Sequence, residues 1–271
     1  MVSKLPTSDP NNGFPLIIEE RRDSFAIIRL NRAEKLNALS RAMILALGEI
    51  FTNIESQSHL RAIILTGAGD KAFCGGMDIT ELAELTTIQA LEVTELGQSL
   101  CNLIDSCSVP VIAAVNGIAA GGGCELALAC HMRMASPNAS FSLPETTLGI
   151  TPGFGGTQRL ARETGRGRAL EIILTGRTVG AEEALRIGLV NRVTATGDLL
   201  TETESLARQI SNLAPPAIRA CLEAVTRGIE LTLAEGLALE SQLFSSLFAT
   251  NDMREGTHAF LEKRQPAFEG S

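Results

Sequence analysis

Two glutamates, Glu125 and Glu145, lie twenty residues apart in a stretch that otherwise consists mainly of apolar and small residues. Burial raises the pKa of a carboxyl group, and two neighbouring carboxyls push their pKa values apart, so such a pair can supply one acid and one base. A glutamate in the first turn of a helix is also favoured by the helix dipole, and a glutamate after Pro144 is typical of a solvated turn. The two residues alone therefore leave acid–base chemistry and a purely structural role open.

Three consecutive glycines, residues 121–123, join the apolar run Val111–Val115, which is typical of a buried strand, to an apolar segment of helical character. The first N–H groups of a helix have no partner within it, so this order of strand, turn and helix favours negative charge. Glu125 lies three residues after Gly122, a spacing that places both on one helix face. Nucleotide-binding loops are excluded, because a leucine stands at the last glycine position of G-x-G-x-x-G and a glycine at the lysine position of a P-loop.

The composition limits the class of protein before any further motif is considered. The chain has 271 residues, 45% hydrophobic and 20% charged, which fits a soluble globular protein of one large or two small domains. A formal net charge of −8 argues against a nucleic-acid-binding surface. No apolar run reaches the length of a membrane span. We therefore expect neither nucleic acid nor membrane as a partner.

Cysteine and histidine usage indicates no metal or redox site. The six cysteines include no C-x-x-C pair, and His59, His131 and His258 are far apart in the sequence with no ligand spacing. No secretory signal is recognisable at the N-terminus, so we expect reduced thiols and a cytoplasmic location.

The stretch from residue 109 to residue 160 resembles the enoyl-CoA hydratase/isomerase family, also called the crotonase superfamily. The positions that carry the resemblance are Asn116-Gly117, residues 121–126, Phe141, Pro144-Glu145, Gly149 and residues 152–160. The resemblance covers almost the whole chain, over about residues 16–268, and the two glutamates make the chain most similar to the two-glutamate hydratases. The resemblance implies an α/β fold: a spiral of ββα units followed by an all-helical C-terminal oligomerisation region.

The elements that must position the glutamates follow from the hydrophobic pattern. We predict a mobile leader over residues 1–15, an α/β catalytic core over residues 16–196 and a helical trimer-forming region over residues 197–271. The predicted elements of the first part are a hairpin of residues 16–20 and 25–30, a helix capped by Ser40 and ending near Glu55, a strand over residues 62–65 and a helix over residues 81–104. The predicted C-terminal helices cover residues 199–213, 215–228, 233–250 and 252–263.

The resemblance also implies how an acyl-CoA thioester is activated. Residues 73–79 match the family's F-x-x-G-x-D-I pattern, in which the residue before the aspartate gives its backbone N–H to the thioester oxygen. That residue is Met77, and the N–H of Gly122 is the second donor of the implied oxyanion hole. A single donor of this kind is worth about 2.7–4 kcal/mol of barrier. In the resembling hydratases the two glutamates hold the attacking water, and we assign Glu125 as the base and Glu145 as the acid.

Two regions are expected to contact coenzyme A, the first of them near the N-terminus. Residues 31–39 match the family's N-R-P-x-x-x-N-A-L segment, with alanine in place of the proline. By the resemblance we expect substrate contacts from four residues, which are Lys35, Ala38, Gly76 and Asp78. Arg32 or Lys35 is a candidate for a phosphate contact, although an exposed loop cation is an equally good interpretation.

The second region lies near the C-terminus, where residues 244–268 resemble the family's ending. Phe260 and Lys263 match positions that contact the adenine end of CoA, often from a neighbouring subunit. Lys263 and Arg264 form one of few local cationic pairs in an acidic chain, while a basic helix end facing its own dipole is the alternative. The resemblance implies a homo-oligomer, either a trimer or a dimer of trimers.

The implied function is reversible addition of water to a 2-enoyl-CoA thioester, giving a 3-hydroxyacyl-CoA, with CoA as part of the substrate and no separate cofactor. Glutamate at both positions favours this reaction over that of a Δ3,Δ2-enoyl-CoA isomerase, which needs one principal carboxylate. A hydratase of branched or carboxylated substrates is a further alternative. A non-catalytic or RNA-binding protein on the same fold is disfavoured by the intact glutamates and the net acidity. The sequence does not indicate the acyl chain.

Overall fold

The strands divide between two sheets in the computed structural model, which describes residues 13–54 and 59–271. In chain order they are β1 (Ile17–Arg21), β2 (Phe25–Leu30), β3 (Ala62–Gly67), β4 (Ala72–Cys74), β5 (Val111–Val115), β6 (Ile118–Ala120), β7 (Met132–Ala135), β8 (Ser140–Ser142), β9 (Val179–Gly180) and β10 (Arg192–Val193). Residues 1–12 of the predicted leader, and Glu55 at the predicted end of the first helix, lie outside the described residues.

Helices follow the strands in the first part of the chain, and the chain after β10 is helical. The helices are α1 (Arg41–Ile54), α2 (Ile79–Leu82), α3 (Thr87–Asp105), α4 (Gly122–Ala129), α5 (Gly156–Thr164), α6 (Arg166–Thr175), α7 (Ala181–Arg186), α8 (Leu199–Ser211), α9 (Pro215–Gly228), α10 (Leu233–Leu247) and α11 (Asn251–Glu262), with short 3-10 turns at Ala33–Lys35 and Pro144–Leu148. Among the helices of the described chain, none has the length and apolar character that a membrane crossing requires.

The larger sheet has the order β1-β2-β3-β5-β7-β10, and the smaller sheet has the order β4-β6-β8-β9. β1 and β2 form the predicted antiparallel hairpin, and the strands from β2 to β10 in the larger sheet run parallel. The successive pairs β3/β4, β5/β6 and β7/β8 each give one strand to each sheet before the chain enters a helical segment. The predicted spiral of ββα units is therefore confirmed.

Both faces of the larger sheet are covered, which explains why its strands are continuous apolar runs rather than alternating ones. One face packs into the main core with α1, α3 and α4. The other face packs against α8, where Phe25, Ile64 and Met134 meet Leu199 and Ala207. α8 thus packs with the core, although it follows the boundary predicted at residues 196–197. That domain boundary stays a prediction.

The helix predicted over residues 81–104 is interrupted, and that part of the prediction is wrong. The chain forms α2, leaves helical structure, and starts again at α3. Thr86 and Gln89 form a capping box: the N–H of Thr86 donates to the Gln89 side chain at 2.9 Å, and the N–H of Gln89 donates to the Thr86 hydroxyl at 3.4 Å. Because such a box satisfies N–H groups that a continuous helix would pair internally, it fixes a new helix start.

The last helices leave many large apolar side chains uncovered. α9 and α10 pack against each other, and neither helix contains a buried residue. The most exposed apolar side chains of this pair and of the turn between them include Val225, Ile229, Leu233, Leu237 and Phe244. Exposed apolar side chains in such number are typical of an interaction site.

Candidate active site

Three parallel strands of the smaller sheet end at one edge, and the segments that follow them form the candidate site. β6 pairs in parallel with β4 on one side and with β8 on the other. Residues 75–77, 121–122 and 143–145 therefore leave the sheet side by side. Open α/β sheets bind ligands at this carboxyl end of their strands. The residues predicted for catalysis lie on these three segments or on the first turn of α4.

The backbone N–H of Met77 points away from the chain segment that pairs with it. Met77 forms an isolated parallel bridge with Leu39, in which the N–H of Leu39 donates to Gly76 O at 2.7 Å and the N–H of Asp78 donates to Leu39 O at 2.9 Å. In a parallel bridge the residue between these two groups directs its own N–H to the other side. The start of α4 is close by, since a methyl group on Gly76 would lie 3.6 Å from Gly122 N.

Gly122 is the first residue of α4, so its N–H has no partner within the helix. Gly121, with φ 51°, turns the chain from β6 into α4. The start of the helix also adds partial positive charge at this point. The structure thus brings the segments that carry the two predicted oxyanion donors, Met77 and Gly122, next to each other, while their joint action on a thioester stays a prediction.

Glu125 is 2% exposed, and the backbone of another segment holds its carboxylate. The N–H groups of Phe154 and Gly156 donate to its Oε1 at 2.8 and 2.7 Å. Gly156 is the first residue of α5, so the carboxylate lies at a helix N-terminus. Burial raises the pKa of Glu125, and the N–H groups of Gly156 and Phe154 oppose that rise. Two donors on one oxygen favour the ionised form of this glutamate.

Glu145, on the 3-10 turn Pro144–Leu148, is held by fewer hydrogen bonds. It is 9% exposed, and its Oε2 has no hydrogen-bond partner among the residues that the structure describes. Burial raises the pKa of Glu145 to about 7; its own backbone N–H opposes the rise and the charge of Glu125 adds to it. A methyl group on Gly121 would lie 3.0 Å from Oε1, so this carboxyl lies beside the start of α4. A buried carboxyl oxygen without a partner is unusual in a folded protein and calls for an explanation.

The sequence reasoning missed the part that Phe154 plays in holding Glu125. The Phe154 ring is buried against α3, and a methyl group on Gly97 would overlap it. Arg159 ties the same segment to α3, donating to Phe154 O at 3.2 Å and to Asn102 Oδ1 at 2.7 Å. Gly97 inside a predicted helix is the signal that could have indicated this close packing. Since the N–H of Phe154 binds the carboxylate, the packing fixes the position of Glu125.

Arg32 is an internal ion-pair partner, which corrects the hypothesis that it meets a phosphate. Its side chain is buried and donates to Asp78 Oδ2 at 3.0 Å and to Ala38 O at 2.8 Å. Asp78 also accepts hydrogen bonds from Thr80, so its carboxylate is engaged within the protein, and its predicted substrate contact stays a prediction. Lys35 lies 3.4 Å from the same Asp78 oxygen but keeps 40% of its side chain exposed, and its predicted phosphate contact stays a prediction.

Phe260 and Lys263 lie at the C-terminal end of α11. Phe260 is 82% exposed, and Lys263 is the left-handed C-cap with φ 56°. Arg264, the other half of the expected cationic pair, forms ion pairs with Glu255 and Glu262. Lys263 is therefore the cation of this pair with more freedom to meet a ligand, and its contact with CoA stays a prediction.

Within residues 13–54 and 59–271, no three histidine, cysteine or acidic side chains are grouped so that they could hold a metal ion. His131 has a structural role instead: its Nδ1 accepts from the N–H of Val111 at 2.9 Å, and its Nε2 lies 3.1 Å from Asp105 O. Burial lowers the pKa of His131, which keeps the ring neutral. The ring thus ties the end of α3 to the start of β5.

Comparison with known proteins gives consistent matches over nearly the whole chain. The family model described as enoyl-CoA hydratase/isomerase matches residues 20–271. A short-chain-enoyl-CoA hydratase of Clostridium acetobutylicum is 43% identical over 249 residues, 92% of this chain and 95% of that protein. A crotonyl-CoA hydratase of Syntrophomonas wolfei is 42% identical over 252 residues, 93% of this chain and 97% of that protein. The crystal structure of an enoyl-CoA hydratase from Bacillus anthracis superposes with a TM-score of 0.92 at 42% identity, covering 94% of this chain and 100% of that one.

Proposed function

This chain belongs to the enoyl-CoA hydratase/isomerase family and is an enoyl-CoA hydratase, and we propose that Glu125 and Glu145 add water to the double bond of its substrate. The observation that carries the proposal is the unequal setting of two buried carboxyls beside the unpaired N–H at the start of α4. Different settings allow one carboxyl to act as a base while the other acts as an acid. The reaction places hydroxyl on the β-carbon and a proton on the α-carbon.

The thioester oxygen is proposed to bind between the N–H groups of Met77 and Gly122. Negative charge moves onto this oxygen when water attacks the β-carbon, and donors already aimed at it stabilise that charge without reorganising. The start of α4 strengthens the Gly122 donor, because the helix dipole is positive there. The bridge to Leu39 lies on the side opposite to the Met77 N–H and holds this donor in place.

Glu125 is proposed as the base and Glu145 as the acid in the hydration direction. Backbone donors on Glu125 Oε1 favour its ionised form, and its second oxygen can then take a proton from water. Glu145 has a raised pKa, about 7, and an unpaired buried oxygen, a setting that keeps part of it protonated at neutral pH. It can therefore supply the α-proton. In dehydration the two roles are exchanged.

The burial of both carboxyls beside one edge of the sheet favours hydration over double-bond isomerisation, which needs one principal carboxylate. For the substrate we propose a short 2-enoyl chain, because the two relatives above are named for short-chain and crotonyl substrates. The test is a panel of straight, branched and carboxylated 2-enoyl-CoA and 3-enoyl-CoA thioesters. Preferential turnover of a 3-enoyl-CoA would favour the isomerase, and preference for a long or carboxylated chain would correct the substrate.

The pH dependence of kcat/KM is expected to be bell-shaped and identical in the two directions. Hydration needs Glu145 protonated and Glu125 ionised, so activity should fall as pH rises through about 7, where burial has placed the pKa of Glu145. Dehydration needs the reverse arrangement, in which Glu125 is protonated and Glu145 is ionised. Because hydration releases no proton, its equilibrium constant does not vary with pH, and the two kcat/KM profiles must run parallel. Rates with crotonyl-CoA and 3-hydroxybutyryl-CoA over the range from about pH 5 to about pH 9 would measure both limbs.

Glu145→Gln provides the control for this assignment. The amide does not titrate, so its residual kcat/KM should lose the alkaline limb and keep the acid limb that Glu125 sets. An alkaline limb that persists in Glu145→Gln would assign it to another group.

We propose that the protein is a homo-oligomer, a trimer or a dimer of trimers, assembled through the C-terminal helices. The exposed apolar side chains of α9 and α10 support it, since a soluble monomer rarely leaves so much apolar surface uncovered. Light scattering should give a mass three or six times the 28.7 kDa of one chain. A stable and active monomer would contradict the assembly.

Lys263→Glu is expected to raise KM for the thioester more than it lowers kcat. A contact with CoA far from the reacting bond is made equally in the ground state and the transition state, so its loss weakens binding uniformly. Arg254→Glu is the matched control, because it makes the same change of charge at an exposed position of the same helix. Equal KM values in the two variants would remove Lys263 from the CoA site.

A further inference from the structure

The oxyanion donor Met77 depends on a very short piece of pairing. Its bridge with Leu39 is isolated and consists of two hydrogen bonds, whereas the neighbouring β4 is a strand of the smaller sheet. A bridge this short can rotate or separate with little resistance, and a rotation would turn the Met77 N–H away from the thioester. One further backbone hydrogen bond, from the N–H of Gly75 to Leu36 O at 2.8 Å, joins the same two segments, and side chains must supply the rest of what holds them in register.

The guanidinium of Arg32 reaches both segments of that bridge. One of its nitrogens donates to the carbonyl of Ala38, the residue before Leu39, at 2.8 Å. Another donates to Oδ2 of Asp78, the residue after Met77, at 3.0 Å. Arg32 is 3% exposed, so these hydrogen bonds are shielded from water. One rigid side chain thus connects the segments on both sides of the oxyanion donor.

The Asp78 end of this connection is itself fixed. The backbone N–H and the hydroxyl of Thr80 donate to Oδ1 at 3.1 and 2.7 Å, which makes Asp78 the N-cap of α2. Burial raises the pKa of Asp78, but hydrogen bonds from Thr80 and Arg32 outweigh it and lower the pKa to about 2. The carboxylate therefore stays ionised at every pH at which the enzyme works. A buried pair of this kind adds little net stability but holds a geometry.

The Arg32 end is fixed by a strained turn. The N–H of Arg32 donates to the side chain of Asn37 at 3.0 Å, and the Asn37 amide donates to Ala72 O, at the start of β4, at 2.8 Å. Leu36 and Asn37 both have positive φ, 54° and 55°, a conformation that costs energy for residues other than glycine. Strain of this kind is found where surrounding structure imposes a functional geometry. Here it brings Ala38 and Leu39 against the segment that contains Met77.

We infer that Arg32 is a positioning residue of the oxyanion hole, acting through Ala38 and Asp78 to aim the N–H of Met77 at the thioester oxygen. The inference rests on the proposed function. It assigns different roles to the two cations near Asp78. The buried Arg32 positions the donor to the thioester oxygen, and the half-exposed Lys35 is left to bind the CoA phosphates. Arginine is required because its planar fork presents donors on separate nitrogens at a fixed spacing, whereas the donors of a lysine ammonium all lie on one nitrogen.

Arg32→Lys is expected to lower kcat with crotonyl-CoA by about 10- to 100-fold, the effect of a small misplacement of a catalytic group, while KM changes by less than about threefold. A second readout is the absorption of bound cinnamoyl-CoA, whose band moves to longer wavelength when donors polarise its carbonyl. In Arg32→Lys this red shift should be reduced at saturating ligand. The same two changes are expected in Asp78→Asn, which retains an oxygen for Thr80 but loses the charge that Arg32 binds.

Arg133→Lys is the matched structural control. Arg133 is as buried as Arg32, and its side chain donates to Leu189 O at 2.7 Å and to Cys130 O at 2.8 Å, away from the Met77 bridge. Its replacement should lower the thermal unfolding temperature without reducing the red shift.

The outcomes separate this inference from the proposed function. If the wild type neither hydrates crotonyl-CoA nor shifts the cinnamoyl-CoA band, the proposed function is wrong. If the wild type does both and Arg32→Lys keeps the full red shift and kcat, the inference about Arg32 is wrong. A loss of activity in Arg32→Lys with a full red shift would make the role merely structural. Should Arg32→Lys fail to fold, a full red shift in a folded Asp78→Asn would overturn the inference equally.

Discussion

Replacing either Glu125 or Glu145 by glutamine should lower kcat for crotonyl-CoA hydration by about 10²–10⁴-fold, the usual contribution of a general acid or base. Glutamine neither takes a proton from water nor gives one to the α-carbon at neutral pH. It occupies nearly the same volume as glutamate, so the thioester should still bind. The measurement is kcat and KM for each variant, with the affinity for a saturated acyl-CoA as a check on binding.

The structure shows why glutamine is the right replacement for Glu125. The Glu125 Oε1 accepts the N–H groups of Phe154 and Gly156, and a glutamine oxygen can accept the same two hydrogen bonds. Glu125→Ala would leave both donors without this acceptor inside the protein, which costs about 1–3 kcal/mol for a buried group. We therefore expect Glu125→Ala to lose thermal stability as well as activity and Glu125→Gln to lose activity alone.

The double variant tests whether the two carboxyls act as a unit. Residues that act on one water are strongly non-additive, so Glu125→Gln/Glu145→Gln should be little worse than the more damaged single variant. Hydration near the wild-type rate in either single variant would contradict the two-glutamate mechanism. If only one carboxyl proves important and 3-enoyl-CoA is isomerised, the chain acts as the isomerase.

The sequence allowed the fold to be predicted where a local pattern determines structure. The apolar runs of β2, β3 and β5 are readable because both faces of the sheet are covered, and the Ser40 cap marks the start of α1, where its hydroxyl accepts the N–H of Met43. No local pattern determines that the site residues meet at one edge of the sheet. It follows from the register of β4, β6 and β8, which join parts of the chain that are far apart. Only the resemblance to a family indicated which carboxyls would meet.

Arg32 shows that the burial and the partner of a loop residue cannot be predicted from its neighbours in the sequence. In sequence it is a cation in a polar segment, which is typical of an exposed loop, and its partner Asp78 is 46 positions away. Nothing between them indicates that both would be buried. The fault in the predicted helix over residues 81–104 has a similar origin, because the capping box at Thr86 competes with a helical pattern that continues through it.

Gly122→Pro is expected to lower kcat by about 10²–10³-fold relative to Gly122→Ala, the effect of removing one oxyanion donor. Both variants add a Cβ at the same place, 3.2 Å from the ring of Phe154, so the crowding is common to the two. They differ in that alanine keeps the backbone N–H, whereas proline has none and carries its ring Cδ on that nitrogen. Gly122 is the first residue of α4, a position where proline is well tolerated, so the helix should persist in both variants.

The comparison acts on a backbone group, which substitution at Met77 leaves in place. Met77→Ala keeps the N–H of that residue and should cost far less activity than Gly122→Pro. Circular dichroism and thermal unfolding would establish that the three variants are folded, and the red shift of bound cinnamoyl-CoA would report the remaining polarisation. A folded Gly122→Pro as active as Gly122→Ala would remove this N–H from the mechanism. A folded Met77→Ala as inactive as Gly122→Pro would show that the methionine side chain acts in the acyl pocket, because its backbone donor is still present.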